Sequence, residues 1–174
     1  MEPGITIVFT GPGKGKTSAA LGTVLRALGR GLKVCVIQFI KHPGVVSGER
    51  NFFRQNLPAV ELYTMGLGFV RRERGGPKHR RQARAALEFA ASKIMSGAYD
   101  LMVLDELTYL ISLQLVEEDD VLAVLKSKPQ KLHLIITGRD ASPALVRFAD
   151  LVTECRQVKH PFETGRKAIK GIDY

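Results

Sequence analysis

The run Thr10-Gly11-Pro12-Gly13-Lys14-Gly15-Lys16-Thr17 follows a short β-branched apolar stretch, residues 5–9, and precedes a helical pattern over residues 18–30. Strand, glycine-rich turn and helix start, in that order, form the setting of a phosphate-binding loop. Glycines let the backbone close around an anion with its N–H groups pointing inward, and the helix start adds positive potential. Lys16 is placed to reach phosphate oxygens and Thr17 Oγ to ligate Mg²⁺. The triphosphate-binding candidates are therefore Gly11, Gly13, Lys14, Gly15, Lys16, Thr17 and Ser18, with Thr10 where the usual first glycine stands. The spacing is unusual, because only three residues separate Gly11 from Gly15 and the common pattern has four.

Such a loop demands a sheet whose strands feed helices, and the rest of the chain obliges. Apolar runs at 34–40, 60–63, 101–104, 132–137 and 151–154 read as strands. Helical patterns fall at 49–55, 77–95, 117–127 and from Pro143, with Ser142 as N-cap. Gly31 reads as the residue closing the first helix, and the glycine-rich stretch 66–77 as a loop ending on a helix-starting Pro77. The acids Glu117 to Asp120 suit a helix N-terminus. Strands alternating with helices predict an α/β fold, a mostly parallel sheet with helices on both faces. The whole chain, 1–174, reads as one domain, and ligands are expected beyond the carboxyl ends of the strands.

There the second element of a nucleotide site appears. Asp105-Glu106 closes the apolar strand 101–104, the arrangement that faces a carboxylate toward a phosphate-bound metal. Coupled with the phosphate loop, it predicts a Mg-nucleoside triphosphate site with Thr17, Asp105 and Glu106 as metal candidates. Which acid touches the metal is not readable, with Glu106 favoured.

Composition removes several classes. At 45% apolar and 25% charged residues the chain is of folded, not disordered, type. No apolar run approaches the roughly 20 residues that span a bilayer, and no signal peptide is visible at the start. Cys35 and Cys155 form no CxxC pair and read as two buried thiols, which points to the reducing cytoplasm. The net charge of +9 is concentrated: residues 71–84 hold seven basic side chains against one acid, Glu73. That stretch is either a solvated helix face or a docking patch for something acidic. No aromatic-rich strand accompanies it, so nucleic acid is not the expected partner.

A phosphate loop alone does not choose between an ATPase, a kinase and a transferase. The remaining motifs do resemble one family. Thr10 to Thr17, Gln38-Phe39-Ile40-Lys41, Gly48-Glu49-Arg50-Asn51, Leu104-Asp105-Glu106-Leu107-Thr108-Tyr109 and Ile135-Ile136-Thr137-Gly138-Arg139 look like the ATP:corrinoid adenosyltransferases of the BtuR/CobO type. So do Asp150 to Glu154, Val158-Lys159-His160-Pro161-Phe162 and the ending Gly171-Ile172-Asp173-Tyr174. The shortened phosphate loop is itself a trait of that family.

The resemblance implies a RecA-like P-loop fold, usually a homodimer. It implies transfer of the 5′-deoxyadenosyl group of ATP to cobalt(I) of a corrinoid, with release of triphosphate. The alternative is a P-loop ATPase or small-molecule kinase that releases ADP. By matching position, Lys16, Thr17 and Glu106 are the expected catalytic residues, and Arg50 and Arg139 join the loop residues around ATP. Phe69 and Arg71 fall on the corrinoid segment, where the family's usual Gly-Phe-Thr-Trp reads Gly68-Phe69-Val70-Arg71. An apolar residue there would leave cobalt without a lower ligand and easier to reduce. The segment that helps cover the corrinoid in many members has no expected counterpart before the first strand. The basic stretch is then a candidate dock for an acidic flavoprotein electron donor.

Overall fold

The structure is a computed structural model and describes residues 2–68 and 76–172. Six parallel strands form one sheet: β1 (Thr6–Thr10), β2 (Val34–Gln38), β3 (Glu61–Thr64), β4 (Leu101–Asp105), β5 (His133–Thr137) and β6 (Leu151–Glu154). Their spatial order is β3-β2-β4-β5-β1-β6. The helices are α1 (Lys16–Leu28), α2 (Gly48–Asn56), α3 (Pro77–Met95), α4 (Thr108–Ser112), α5 (Glu118–Lys126) and α6 (Pro143–Phe148). A 3₁₀ turn follows at Pro161–Thr164.

Both faces of the sheet are covered, which is why its central strands read as unbroken apolar runs. The strand residues alternate between two cores. Cys35, Ile37, Met102, Leu104, Leu134 and Ile136 face α3 and α5. Val34, Val36, Leu101, Val103 and Ile135 face α1 and α2, meeting Ala20, Val24, Ala27 and Phe53. Ala20, Val24 and Ala27 recur at helical spacing, so α1 lays one apolar stripe on the sheet. β2 and β4 are buried throughout, whereas the edge strand β6 is exposed throughout.

The elements follow the sequence reading closely, with instructive shifts. α1 begins two residues before the apolar pattern, because Gly15 of the phosphate loop serves as its N-cap. It ends at Leu28; Gly31 is left-handed, and the chain reverses there as Leu32 N–H donates to Ala27 O at 3.0 Å. Ser142 caps α6, its Oγ accepting from Leu145 N–H at 3.1 Å. α4 and the 3₁₀ turn have no counterpart in the sequence pattern, because each is too short to show a period. Cys35 is buried, with its thiol pushed up to about 12 by burial, and Cys155 is only half-buried; both are free.

The other edge strand, β3, is tied to α3 by an aromatic-lined ion pair. Lys93 Nζ meets Glu61 Oε2 at 2.8 Å, Tyr63 Oη at 2.8 Å and Tyr99 Oη at 3.1 Å. Its ammonium also lies 4.6 Å from the centre of the Tyr63 ring. The network lies at the end of the sheet opposite the phosphate loop, so it braces an edge and leaves the site alone.

Candidate active site

All the polar pieces of the site sit at the carboxyl ends of strands. β5 lies between β1, which carries the phosphate loop, and β4, which carries Asp105. That intervening strand lets Thr137 join the two.

The loop wraps against the end of β6. Gly13 N–H donates to Cys155 O at 2.7 Å, and a Cβ on Gly11 would lie 2.7 Å from the same carbonyl. Gly11 is also left-handed, φ +96°, so glycine is required there twice over. Thr10 Oγ1 accepts from Ala141 N–H at 3.1 Å, which uses the hydroxyl to tie the loop to the turn after β5. Lys16 reaches back over the loop, its Nζ donating to Gly11 O at 2.7 Å and to Gly13 O. Burial, and then the nearby Arg139 guanidinium, push the Lys16 pKa below its ordinary value. Two cations beside a helix N-terminus make a place that favours an anion.

Asp105 is the hub. Its Oδ1 accepts from Thr17 Oγ1 at 2.8 Å and from Thr137 Oγ1 at 2.6 Å; its Oδ2 accepts from Gln38 Nε2 at 3.2 Å. Lys41 Nζ stands 3.7 Å from that Oδ2 and 2.6 Å from Glu49 Oε1 on α2. The buried carboxylate is thus paired and hydrogen-bonded on both oxygens, the condition under which a buried charge is tolerated. Burial opposes the charge on Lys41, but Asp105 and Glu49 outweigh it and hold the ammonium above its ordinary range.

Glu106 is built differently. Its backbone is left-handed, φ +66°, and its N–H donates to Thr137 Oγ1 at 2.9 Å. A non-glycine residue held there is strained, of the kind found at functional sites. Its Oε2 is buried without a hydrogen-bond partner. Burial, then the neighbouring Asp105 charge, raise its carboxyl to about 7. Thr17, Ser18, Lys41, Glu49 and Glu106 line one cleft of about 520 Å³, within the range of small-molecule sites.

Among the described residues no group of three or more His, Cys, Asp or Glu could hold a metal unaided. The donors fit a different arrangement. Thr17 Oγ1 donates a hydrogen bond to Asp105 and Thr17 lines the cleft, and Glu106 offers an unpartnered oxygen. Hard oxygen donors supplemented by phosphate and water are what Mg²⁺ takes.

Arg139 follows β5 on a turn secured by Thr108, whose Oγ1 donates to Arg139 O at 2.6 Å. Gly138 permits that contact, because a Cβ there would fall 2.0 Å from Thr108 Oγ1. The structure does not bring Arg50 to the loop. Its guanidinium donates to Pro43 O at 3.0 Å and to Val45 O, bracing the turn before α2. Phe69 and Arg71 lie outside the described residues. Thr137, Gln38 and Lys41 entered the sequence reading only within motifs, without a role. The available signal was a polar residue at or just past the carboxyl end of an apolar strand.

The family model described as ATP:corrinoid adenosyltransferase BtuR/CobO/CobP matches residues 2–174. A corrinoid adenosyltransferase of Pseudomonas aeruginosa is 42% identical over 174 residues, covering 99% of this chain and 85% of that protein. One from Escherichia coli K12 is 40% identical over 173 residues, covering 99% and 87%. Among solved structures, the flagellar accessory protein FlaH of Methanocaldococcus jannaschii superposes with a TM-score of 0.57 at 14% identity, covering 88% of this chain and 72% of that one. The RadB recombinase gives 0.54 at 18% identity, covering 88% and 74%. These two likenesses speak to the RecA-like fold alone.

Proposed function

The chain belongs to the ATP:corrinoid adenosyltransferase family of BtuR, CobO and CobP, and from that premise we propose how its site carries the 5′-deoxyadenosyl group of ATP to cobalt(I) of a corrinoid. The observation that carries the proposal is the bond from Thr17 to Asp105, which locks the helix behind the phosphate loop to the acidic end of β4. The cobalt(I) lone pair attacks C5′, the C5′–O bond breaks, and triphosphate leaves with the bonding pair. No proton has to be abstracted, so catalysis reduces to positioning and to stabilising charge on the leaving group.

Lys16 exchanges its bonds to Gly11 O and Gly13 O for phosphate oxygens. Its desolvated ammonium is better matched to an anion than to two carbonyls. Gly11, Gly13, Lys14, Gly15 and Ser18 complete the phosphate cradle, and Arg139 adds charge from the β5 side. Thr10 acts through the backbone, since its hydroxyl is already engaged. Thr17 and Glu106 would hold Mg²⁺, while Asp105 orients Thr17. When bound, Mg²⁺ supplies Lewis-acid stabilisation of the departing triphosphate. The cation would also draw the Glu106 carboxyl to its ionised form.

Phe69 and Arg71 are assigned to the corrinoid, and Arg50 to shaping the nearby turn. Lys78, Arg80, Arg81 and Arg84 form an exposed basic face of α3, suited to an acidic flavoprotein that delivers the electron for cobalt(I). Among the described residues no helix is long and apolar enough to cross a membrane. A cytoplasmic homodimer completes the proposal.

The test is anaerobic incubation with Mg-ATP and chemically reduced cob(I)alamin, followed by spectroscopy and product analysis. Adenosylcobalamin with stoichiometric triphosphate is expected. ADP with phosphate would place the chain with ATPases or kinases instead.

A further inference from the structure

The last residues of four neighbouring strands form a polar row across the sheet: Thr64 of β3, Gln38 of β2, Asp105 of β4 and Thr137 of β5. The strand register places Gln38 opposite both Thr64 and Asp105. Paired residues of neighbouring strands share a face of the sheet, so such a row can bond along its length. Gln38, only 1% exposed, is its middle link. Its Nε2 donates to Asp105 Oδ2 at 3.2 Å, and its Oε1 accepts a longer bond from Thr64 Oγ1 at 3.4 Å. An amide offers a donor to the acid on one side and an acceptor to the hydroxyl on the other; a carboxylate in its place could only accept. Beyond the strands the same two segments stay fastened. Met65 N–H donates to Gln38 O at 2.8 Å, Gly66 N–H to Lys41 O at 3.0 Å and Gly68 N–H to Ile40 O at 2.8 Å. Gly66 lies so close that a Cβ there would fall 2.1 Å from Ile40 O. Gln82 of α3 also holds this segment, its Nε2 donating to Met65 O at 2.7 Å. The segment so held ends at Gly68, and Phe69 is the next residue in the chain. Towards the phosphate loop, Asp105 Oδ1 accepts from Thr17. A carboxylate is planar, so a changed pull on Oδ1 turns Oδ2 with it. One hydrogen-bonded line therefore runs from the phosphate loop to the root of the segment assigned to the corrinoid.

We propose that Gln38 is a positioning residue that couples the two substrate sites: a nucleotide on the phosphate loop sets Asp105, and Gln38 passes that setting to Thr64 and to residues 65–68. This rests on the reading that the phosphate loop binds ATP and that Phe69 belongs to the corrinoid site. Gln38 is buried beneath the site, so it acts on both substrates through other residues. Its contribution is a coupling free energy, by which ATP and corrinoid each tighten the other's binding by the same factor. Hydrogen bonds in a buried chain polarise one another, which lets the line carry more than its single bonds would.

Cobalt(II) is not the attacking species, so the Kd of cob(II)alamin can be read anaerobically from its absorption spectrum, with and without Mg-ATP. The full chain is expected to bind it about tenfold more tightly when Mg-ATP is present. Thr64→Val keeps the shape of β3 and removes only the outer bond. Gln38→Met removes both bonds from a buried position without adding charge. In each variant the tightening should fall below about threefold, while Thr64→Ser, which keeps the hydroxyl, should retain it. A merely structural role would weaken corrinoid binding equally in both conditions and leave that ratio unchanged. A wild-type ratio in Thr64→Val, or a ratio near one in the wild type with both ligands bound, would overturn the assignment. Wild-type protein that fails to bind Mg-ATP or cob(II)alamin would instead remove the reading of the two sites, and this assignment with it.

Discussion

Replacing Glu106 by glutamine should make the ligand-free protein more stable while disabling it. Burial and the adjacent Asp105 charge raise the Glu106 carboxyl to about 7, against an ordinary value of 4.5. Between those values the folded state holds a proton that the unfolded state has released. Stability therefore falls as pH rises from about 5 to about 8. At about 1.4 kcal/mol per pH unit the full penalty is about 3 kcal/mol, reached once the folded carboxyl is ionised. Glutamine has the same shape and no charge to desolvate. The Glu106→Gln variant should match the wild type near pH 4.5 and exceed it by about 2–3 kcal/mol at pH 8. Urea denaturation in EDTA at intervals from pH 5 to 8 reads this directly. Mg²⁺-dependent turnover should fall at least about a hundredfold in the same variant. Wild type and variant losing stability in parallel over that range would refute the claim that Glu106 is held as a destabilised acid.

Three further outcomes follow from the geometry. Thr17→Val keeps the shape but removes the hydroxyl between helix and Asp105; kcat should drop about a hundredfold, and Thr17→Ser should recover most of it in steady-state assays. Gly138→Ala forces a Cβ to 2.0 Å from Thr108 Oγ1 in a left-handed backbone, so thermal melts should show a loss of about 2–3 kcal/mol, partly relieved by adding Thr108→Ala. Lys93 and the Tyr63 and Tyr99 hydroxyls hold Glu61 down to about 2; this stabilisation is complete above about pH 4.5 and lost as pH falls toward 2. Because Glu61 is exposed and Lys93 only half-buried, Lys93→Met should cost under about 1 kcal/mol and flatten acid denaturation curves in that window.

Where each part of the molecule was legible depends on how local its cause is. β2, β4 and β5 are continuous apolar runs because helices cover both faces of them, and such runs are visible in a sequence. The phosphate loop and Asp105-Glu106 are contiguous motifs and were visible for the same reason. The division of labour between the two acids was not. Asp105 is saturated by Thr17, Thr137 and Gln38, which arrive from three other elements, and Glu106 is left with an unpartnered oxygen. No spacing rule encodes that meeting, since it depends on β5 lying between β1 and β4. Lys41 was passed over likewise, because its pairing with Glu49 and Asp105 exists only once α2 folds back over β2. Arg50 is a similar case: the motif places it near the nucleotide, whereas the bonds of its guanidinium to the carbonyls of Pro43 and Val45 exist only once the turn before α2 has formed.

The central claim is that the attack falls on carbon and that the whole triphosphate leaves. ATP carrying ¹⁸O in the bridge between C5′ and the α-phosphorus, turned over with cob(I)alamin and read by mass spectrometry, tests this most directly. The label should appear quantitatively in triphosphate, with none retained on the adenosyl product. Label remaining attached to an adenosine-containing product would mean that a P–O bond had broken, and it would contradict the account.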